Sequence, residues 1–101
     1  NKINREKFGQ IIGNRLRITR CQHGLSQTDL QNITGIDRAT LSRIENGQQQ
    51  ISLFQLLQVL KALQVKPELF LKGIEVNNED TIELDDGFFP GDNQTKYAAL
   101  Y

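Results

Sequence analysis

With one cysteine, one histidine, two prolines and neither tryptophan nor methionine, the chain leaves little room for several kinds of chemistry. Cys21 has no partner for an internal disulfide, which fits a reducing compartment. It follows Leu16 and Ile18 in a helical pattern and reads as a small buried hydrophobe rather than a reactive thiol. His23 stands two residues on. One Cys and one His cannot assemble a zinc site, and neighbours at that spacing on a helix point apart, so no Cys–His catalytic pair is expected. His23 is expected to pack at the end of the first helix. No run of eighteen apolar residues occurs, so no membrane span is expected. Residues 1–10 carry charges without an apolar stretch, so no signal peptide is expected, and the missing initial methionine suggests a trimmed terminus. Gly-rich phosphate loops, nucleophile elbows and metal-ligand clusters are also missing, which makes an enzyme a poor reading. The acids Glu79, Asp80, Glu83, Asp85 and Asp86 lack calcium-loop spacing and read as a solvated face. No metal and no cofactor is expected.

What is present is a chain of 101 residues, 38% hydrophobic, enough for one small domain with an appendage. Its formal net charge is zero, but the charge is unevenly placed. Residues 1–73 hold eleven basic and five acidic side chains, whereas residues 74–101 hold Lys96 against seven acids. A basic body suits phosphate. An acidic tail suits solubility, a basic partner, or competition with DNA.

Along the chain, Phe8, Ile11, Ile12, Leu16 and Cys21 follow helical spacing from about Arg5 to Gln22, with Arg15, Arg17 and Arg20 on the other faces. His23-Gly24 stops this helix. Ser26 caps the next, with Asp29 suiting its positive end and Leu30 and Ile33 sharing a face. Gly35 ends it and Asp37 caps a third helix, whose inward stripe is Leu41 and Ile44. The opposite face carries Arg38, Ala39, Thr40, Ser42 and Arg43. Such a face is poor at burial but suited to base edges in a DNA major groove, where Arg pairs with guanine and small side chains meet the thymine methyl. A hairpin used only for packing is the alternative. Ser52 caps a fourth helix, Leu53 to Leu63, with Leu53, Leu56, Leu57, Leu60 and Leu63 as its stripe. Phe54 and Val59 make it apolar nearly all round, hence central to the core. Pro67 opens a short fifth helix to about Leu71. In the tail, Thr81 to Leu84 alternates as a brief strand, Asp85-Asp86-Gly87 is a turn, and Phe88-Phe89-Pro90-Gly91 is an apolar bump followed by a turn.

The run GLSQTDLQNITGIDRATLSRIENG resembles the helix-turn-helix of the phage-repressor-like, or Xre, family of bacterial DNA-binding proteins. Gly24-Leu25-Ser26-Gln27, Leu30, Gly35-Ile36, Leu41-Ser42 and Ile44-Glu45-Asn46-Gly47 carry the match, which extends from about Phe8 to Gly73. It implies an all-α fold: a five-helix lambda-repressor-like domain over residues 1–73, with an acidic tail over 74–101 able to add one short β-strand. It implies that Arg38 to Glu45 is the recognition helix. Arg38, Ala39, Thr40 and Arg43 would then contact bases, and Gln27, Ser42, Asn46 and Gln48 the DNA backbone. In the family, an arginine at the position of Arg20 pairs with a glutamate at that of Glu45. The loop at 47–51 would lie along phosphate, with glutamines here where many relatives have Lys or Arg, so a shallower salt dependence follows. Gln64 replaces the usual Gly, which suggests that the fourth helix ends differently. Gln31 replaces a small residue, which bears on how the two motif helices pack.

The resemblance also implies a sequence-specific regulator, in the first place a dimeric repressor on an inverted-repeat operator of double-stranded DNA. Its homodimer would form through Leu69 and Phe70 of the fifth helix and through the tail strand. Thr81 to Leu84 would pair with its symmetry mate, with Ile82 and Leu84 packed on the helical body. Phe88, Phe89, Tyr97, Leu100 and Tyr101 read either as a partner-docking segment or as part of a solubilising tail. The layout is also similar to HipB-type antitoxins, which adds an alternative: an antitoxin that represses its own operon and holds a toxin protein. Either way the expected location is the cytoplasm, at the nucleoid, with no membrane contact.

Overall fold

The structure, a computed structural model, describes residues 2–76 and 81–84. Five helices come first: α1 (Arg5–Gln22), α2 (Gln27–Thr34), α3 (Arg38–Glu45), α4 (Leu53–Leu63) and α5 (Pro67–Phe70). Two short strands follow, β1 (Ile74–Val76) and β2 (Ile82–Leu84). The fold is therefore the five-helix arrangement with strand added at its C-terminal side.

Short polar side chains set most of the helix starts. Asn4 accepts from the Lys7 backbone N–H at 2.8 Å, and Asp37 from that of Ala39 at 3.1 Å. Ser26 with Asp29, and Ser52 with Gln55, close reciprocal capping boxes, each satisfying two orphan donors of a first helical turn. The Ser26 backbone and hydroxyl bonds hold the Asp29 carboxyl below its ordinary pKa. Gly35 ends α2 at φ 79°, a left-handed conformation that costs glycine nothing.

The core is one cluster. Ile12 and Leu16 of α1, Leu30 of α2, Ile36, Leu41 and Ile44 of α3, Leu56, Val59, Leu60 and Leu63 of α4, then Val65 and Phe70 are all buried. Several positions differ from the sequence reading. Cys21 is exposed. It lies five positions beyond Leu16, about 140° round the helix from the buried side. Arg15 is fully buried instead of riding outside: its Nη1 donates to the carbonyls of Phe70 at 2.7 Å and Lys72 at 2.9 Å, capping the end of α5. Ile33 is 58% exposed, because the buried line of α2 passes through Leu30 alone. The fourth helix is not enclosed: Leu53, Phe54 and Leu57 are exposed at 71%, 73% and 43%. Phe70, expected on a dimer surface, is 1% exposed and fills the core, while Leu69 is half-buried.

Gln64 does not change how α4 ends. It adopts φ 59°, ψ 43°, the left-handed stop that glycine usually takes, and its N–H bonds back to the Leu60 and Lys61 carbonyls. That conformation strains an L-residue by roughly 1–2 kcal/mol. Gln64 is exposed, so Gln64→Gly should stabilise the fold by about 1 kcal/mol or less, glycine's extra unfolded freedom offsetting part of the relief. A urea midpoint that does not rise would contradict this.

The tail strand finds its partners inside the chain. β1 and β2 pair antiparallel with Ile74 opposite Leu84, Glu75 opposite Glu83 and Val76 opposite Ile82. On the other edge of β2, Lys2 bridges Glu83, and the Ile3 N–H donates to the Ile82 carbonyl at 2.9 Å. Both edges of β2 are thus occupied, which replaces the expected pairing with a symmetry mate. Closing a hairpin between segments so near in sequence is entropically cheap. Ile74 packs against the core, Leu84 is half-buried, and Ile82 stays 36% exposed instead of seating on the body. The expectations for Asp85 to Gly87, Phe88, Phe89, Tyr97, Leu100 and Tyr101 lie outside the described residues.

Candidate nucleic-acid interface

At about 100° per residue, Arg38, Ser42, Asn46, Ala39, Arg43 and Thr40 sweep one side of α3 and its cap, and Leu41, Ile44 and Glu45 the other. Burial follows this division. Leu41, Ile44 and Glu45 are buried, Thr40 and Ser42 half-buried, and Arg38, Ala39, Arg43 and Asn46 exposed. An eight-residue helix this polar on one side has little intrinsic stability, so its position is set by what holds its inner side and its ends.

The inner side rests on α1. A Cβ placed on Gly13 would overlap the carbonyl oxygen of Ile44, so the two helices meet backbone to backbone. At the C-terminal end, Arg20 grips Glu45 with two prongs: Nε to Oε2 at 2.7 Å and Nη2 to Oε1 at 2.9 Å. Arg20 Nη1 also donates to the Leu25 carbonyl at 2.8 Å, and Gln27 Nε2 to Glu45 Oε1 at 3.1 Å. The Arg20 and Glu45 side chains are only 12% and 3% exposed. The hydrogen bond to Glu45 raises the Arg20 pKa further above its ordinary value, against the opposing effect of burial. This pair ties α1, the α1–α2 turn and α3 together.

The N-terminal end is held from α2. Gln31 Oε1 accepts from the Arg38 N–H at 2.6 Å, beside the Asp37 cap. The long amide at 31 therefore spans the motif's turn, which explains how a residue larger than the usual one is accommodated. On the outward side, Arg43 Nε donates to Gln49 Oε1 at 3.0 Å and Nη2 to Thr40 Oγ1 at 3.2 Å. In the loop after α3, Gln48 is exposed, while Gln50 Nε2 turns back to the Arg5 carbonyl at 2.8 Å.

Arg38, Ala39, Thr40, Ser42, Arg43, Asn46 and Gln48 thus come together on one surface. Gln27 lies beside it at the start of α2, with its amide engaged on Glu45. Sequence reasoning missed Gln31, Gln49 and Arg15. For Gln31 its departure from the family's preference was a usable signal; for the others there was none. Among the described residues, no group of His, Cys, Asp and Glu could hold a metal ion, and no helix is long and apolar enough to cross a membrane. The surface offers convergent N–H donors and small side chains on a protruding helix. Chemically it can bind anions and read donor and acceptor patterns.

Comparison with known proteins gives a consistent picture. The model of a helix-turn-helix family matches residues 16–70. No curated protein matches the chain. Among solved structures, the chain is similar to the restriction-modification controller protein C.AhdI from Aeromonas hydrophila. The two share 34% identity at a TM-score of 0.61, over 63% of this chain and 97% of that one. It is similar to the clp gene regulator ClgR from Corynebacterium glutamicum, at 25% identity and a TM-score of 0.61, over 62% of this chain and 67% of that one. The controller protein C.Esp1396I, solved as a tetramer in complex with its natural 35 base-pair operator, shares the fold at 23% identity and a TM-score of 0.59, over 63% of this chain and 84% of that one.

Proposed function

Since the chain belongs to the helix-turn-helix family of Xre-like, DNA-binding transcriptional regulators, we propose that it is a sequence-specific repressor that binds an inverted-repeat operator as a two-fold dimer. The observation that carries this reading is the outward face of α3, with two exposed arginines on a helix braced at both ends. Arg38 and Arg43 are assigned to base edges, with Ala39 and Thr40 beside them. Gln27, Ser42, Asn46 and Gln48 are assigned to the DNA backbone. Residues 1–73 form the DNA-binding unit and residues 74–101 an appendage to it. Each bidentate arginine–guanine contact is worth about 1–3 kcal/mol of discrimination. Arg38→Ala or Arg43→Ala should therefore bring operator affinity close to that for random duplex, while random-duplex affinity changes much less. Titration against both DNAs is the test, and undiminished discrimination in both variants would overturn the assignment.

One recognition helix covers few base pairs, and a second copy one helical turn along supplies the rest. The operator-bound tetramer of C.Esp1396I supports an oligomer on DNA. With Phe70 in the core, the contact between copies is assigned to the exposed apolar face of α4, where Leu53, Phe54 and Leu57 are spaced i, i+1, i+4. An unbroken apolar patch of this kind marks an association surface more often than idle exposure. Phe54→Asp should give a monomer in sedimentation with an unchanged helical spectrum. A dimer as tight as the parent's would place the interface elsewhere. The antitoxin reading shares all of this DNA chemistry and adds a toxin, and the segment it depends on lies beyond residue 84.

A further inference from the structure

The Arg43 guanidinium is tethered along one edge before any DNA arrives. Nε donates to Gln49 Oε1 at 3.0 Å and Nη2 to Thr40 Oγ1 at 3.2 Å. A guanidinium presents five N–H groups in one rigid plane. Two of them are used along the Nε–Nη2 edge. The three that remain are both hydrogens of Nη1 and the second of Nη2, so a parallel pair at the tip stays available. We infer that Gln49 is a positioning residue for sequence recognition. With Thr40 it orients Arg43 so that the Nη1–Nη2 edge faces the groove and meets guanine O6 and N7 end-on.

The loop that carries Gln49 is itself fixed. The Gln48 N–H donates to the Arg43 carbonyl at 2.8 Å and the Gly47 N–H to that of Ile44 at 3.0 Å. Gly47, at φ 76°, lies against Gln10 of α1. The backbone that follows α3 thus folds back on the residue whose side chain Gln49 must reach. The chemistry at position 49 is selective. A Lys or Arg there would repel Arg43 and leave it swinging. A carboxylate would hold Arg43 but cancel its charge toward DNA. A neutral amide orients the arginine and leaves its charge intact. In the same arrangement Thr40 acts on the bases partly through Arg43, since its hydroxyl oxygen accepts from the guanidinium.

This inference rests on the reading of Arg43 as a base contact, and the test separates the two. The probe is a duplex selected by the full-length parent from a random-sequence library, with unselected duplex as reference. Gln49→Ala should lower the ratio of selected to unselected affinity roughly 2- to 10-fold, the factor that fixing one long side chain in advance is worth. It should lose that effect in an Arg43→Ala background. Gln49→Glu should lower the ratio and also weaken binding to the unselected duplex. In the free protein, Arg43 Nε–H relaxation should show greater mobility in Gln49→Ala, which a purely structural role for Gln49 would not produce. If Arg43→Ala retains full discrimination, the base-contact reading and this inference both fall. If Arg43→Ala flattens discrimination but Gln49→Ala does not, or acts equally with and without Arg43, the positioning role alone is overturned.

Discussion

Arg20→Ala is expected to lose about 3–5 kcal/mol of stability, the cost of stranding the other member of a buried ion pair. Glu45 is the member left behind, with 3% of its side chain exposed and only the Gln27 amide as a remaining side-chain donor among the bonds described. The Leu25 carbonyl loses its donor in the same substitution. A domain of this size has roughly 5–15 kcal/mol in total, so the variant should be close to unfolding at moderate temperature. The double variant Arg20→Ala with Glu45→Ala should lose less than the sum of the two single losses, because no charge is then left unpaired. Thermal and urea melts followed by circular dichroism measure all three. An Arg20→Ala melt that superimposes on the parent's would mean that the pair contributes nothing.

Gly13→Ala should be damaging in a different way. Alanine is the better helix former by about 1 kcal/mol, so an ordinary helical site would gain from the change. At Gly13 the added methyl overlaps the Ile44 carbonyl oxygen, which is helix backbone and has no rotamer to change. Either α1 or α3 must shift. Overpacking of this kind costs typically 1–3 kcal/mol, occasionally more, which outweighs the propensity gain. Because the displaced element is the recognition helix, operator binding should fall by more than the loss of stability explains. Gly9→Ala is the control. Its Cβ would meet the Gln50 side-chain amide at 2.7 Å, the far end of a flexible chain that can move aside. Gly9→Ala should therefore be near neutral in stability and in DNA binding. Equal behaviour of the two alanine variants would show that the close approach at Gly13 is not what sets α3.

The helical outline was legible because it rests on local rules. Ser26, Asp37 and Ser52 announce helix starts through their own chemistry, and the apolar spacing of Leu41 with Ile44 gives the inner side of α3. What escaped depends on partners far away in sequence. Arg15 looks like a surface arginine until α5 delivers the Phe70 and Lys72 carbonyls to it. The apolar circumference of α4 suggests full enclosure, yet too few elements surround the helix to cover Leu53, Phe54 and Leu57. Ile74-Glu75-Val76 is too short to signal a strand, so β2 looked unpartnered and a second copy was supplied for it. Gln64 shows a propensity overridden: the chain behind α4 has to turn there, and the fold imposes a glycine-like conformation on glutamine. At the DNA face, the residues on α3 follow from helical phase, whereas the glutamines that hold them follow only from three-dimensional proximity.

The bare contact between Gly13 and Ile44 has a mechanical corollary. Packed helices slide past one another through their side-chain layer, whose rotamers absorb small displacements. No such layer separates α1 from α3 at this crossing. The recognition helix therefore turns only when the whole helical body turns, and it cannot adjust its pitch to an imperfect site. Any misfit between protein and DNA is taken up elsewhere, by flexure of the double helix or by give where two copies touch.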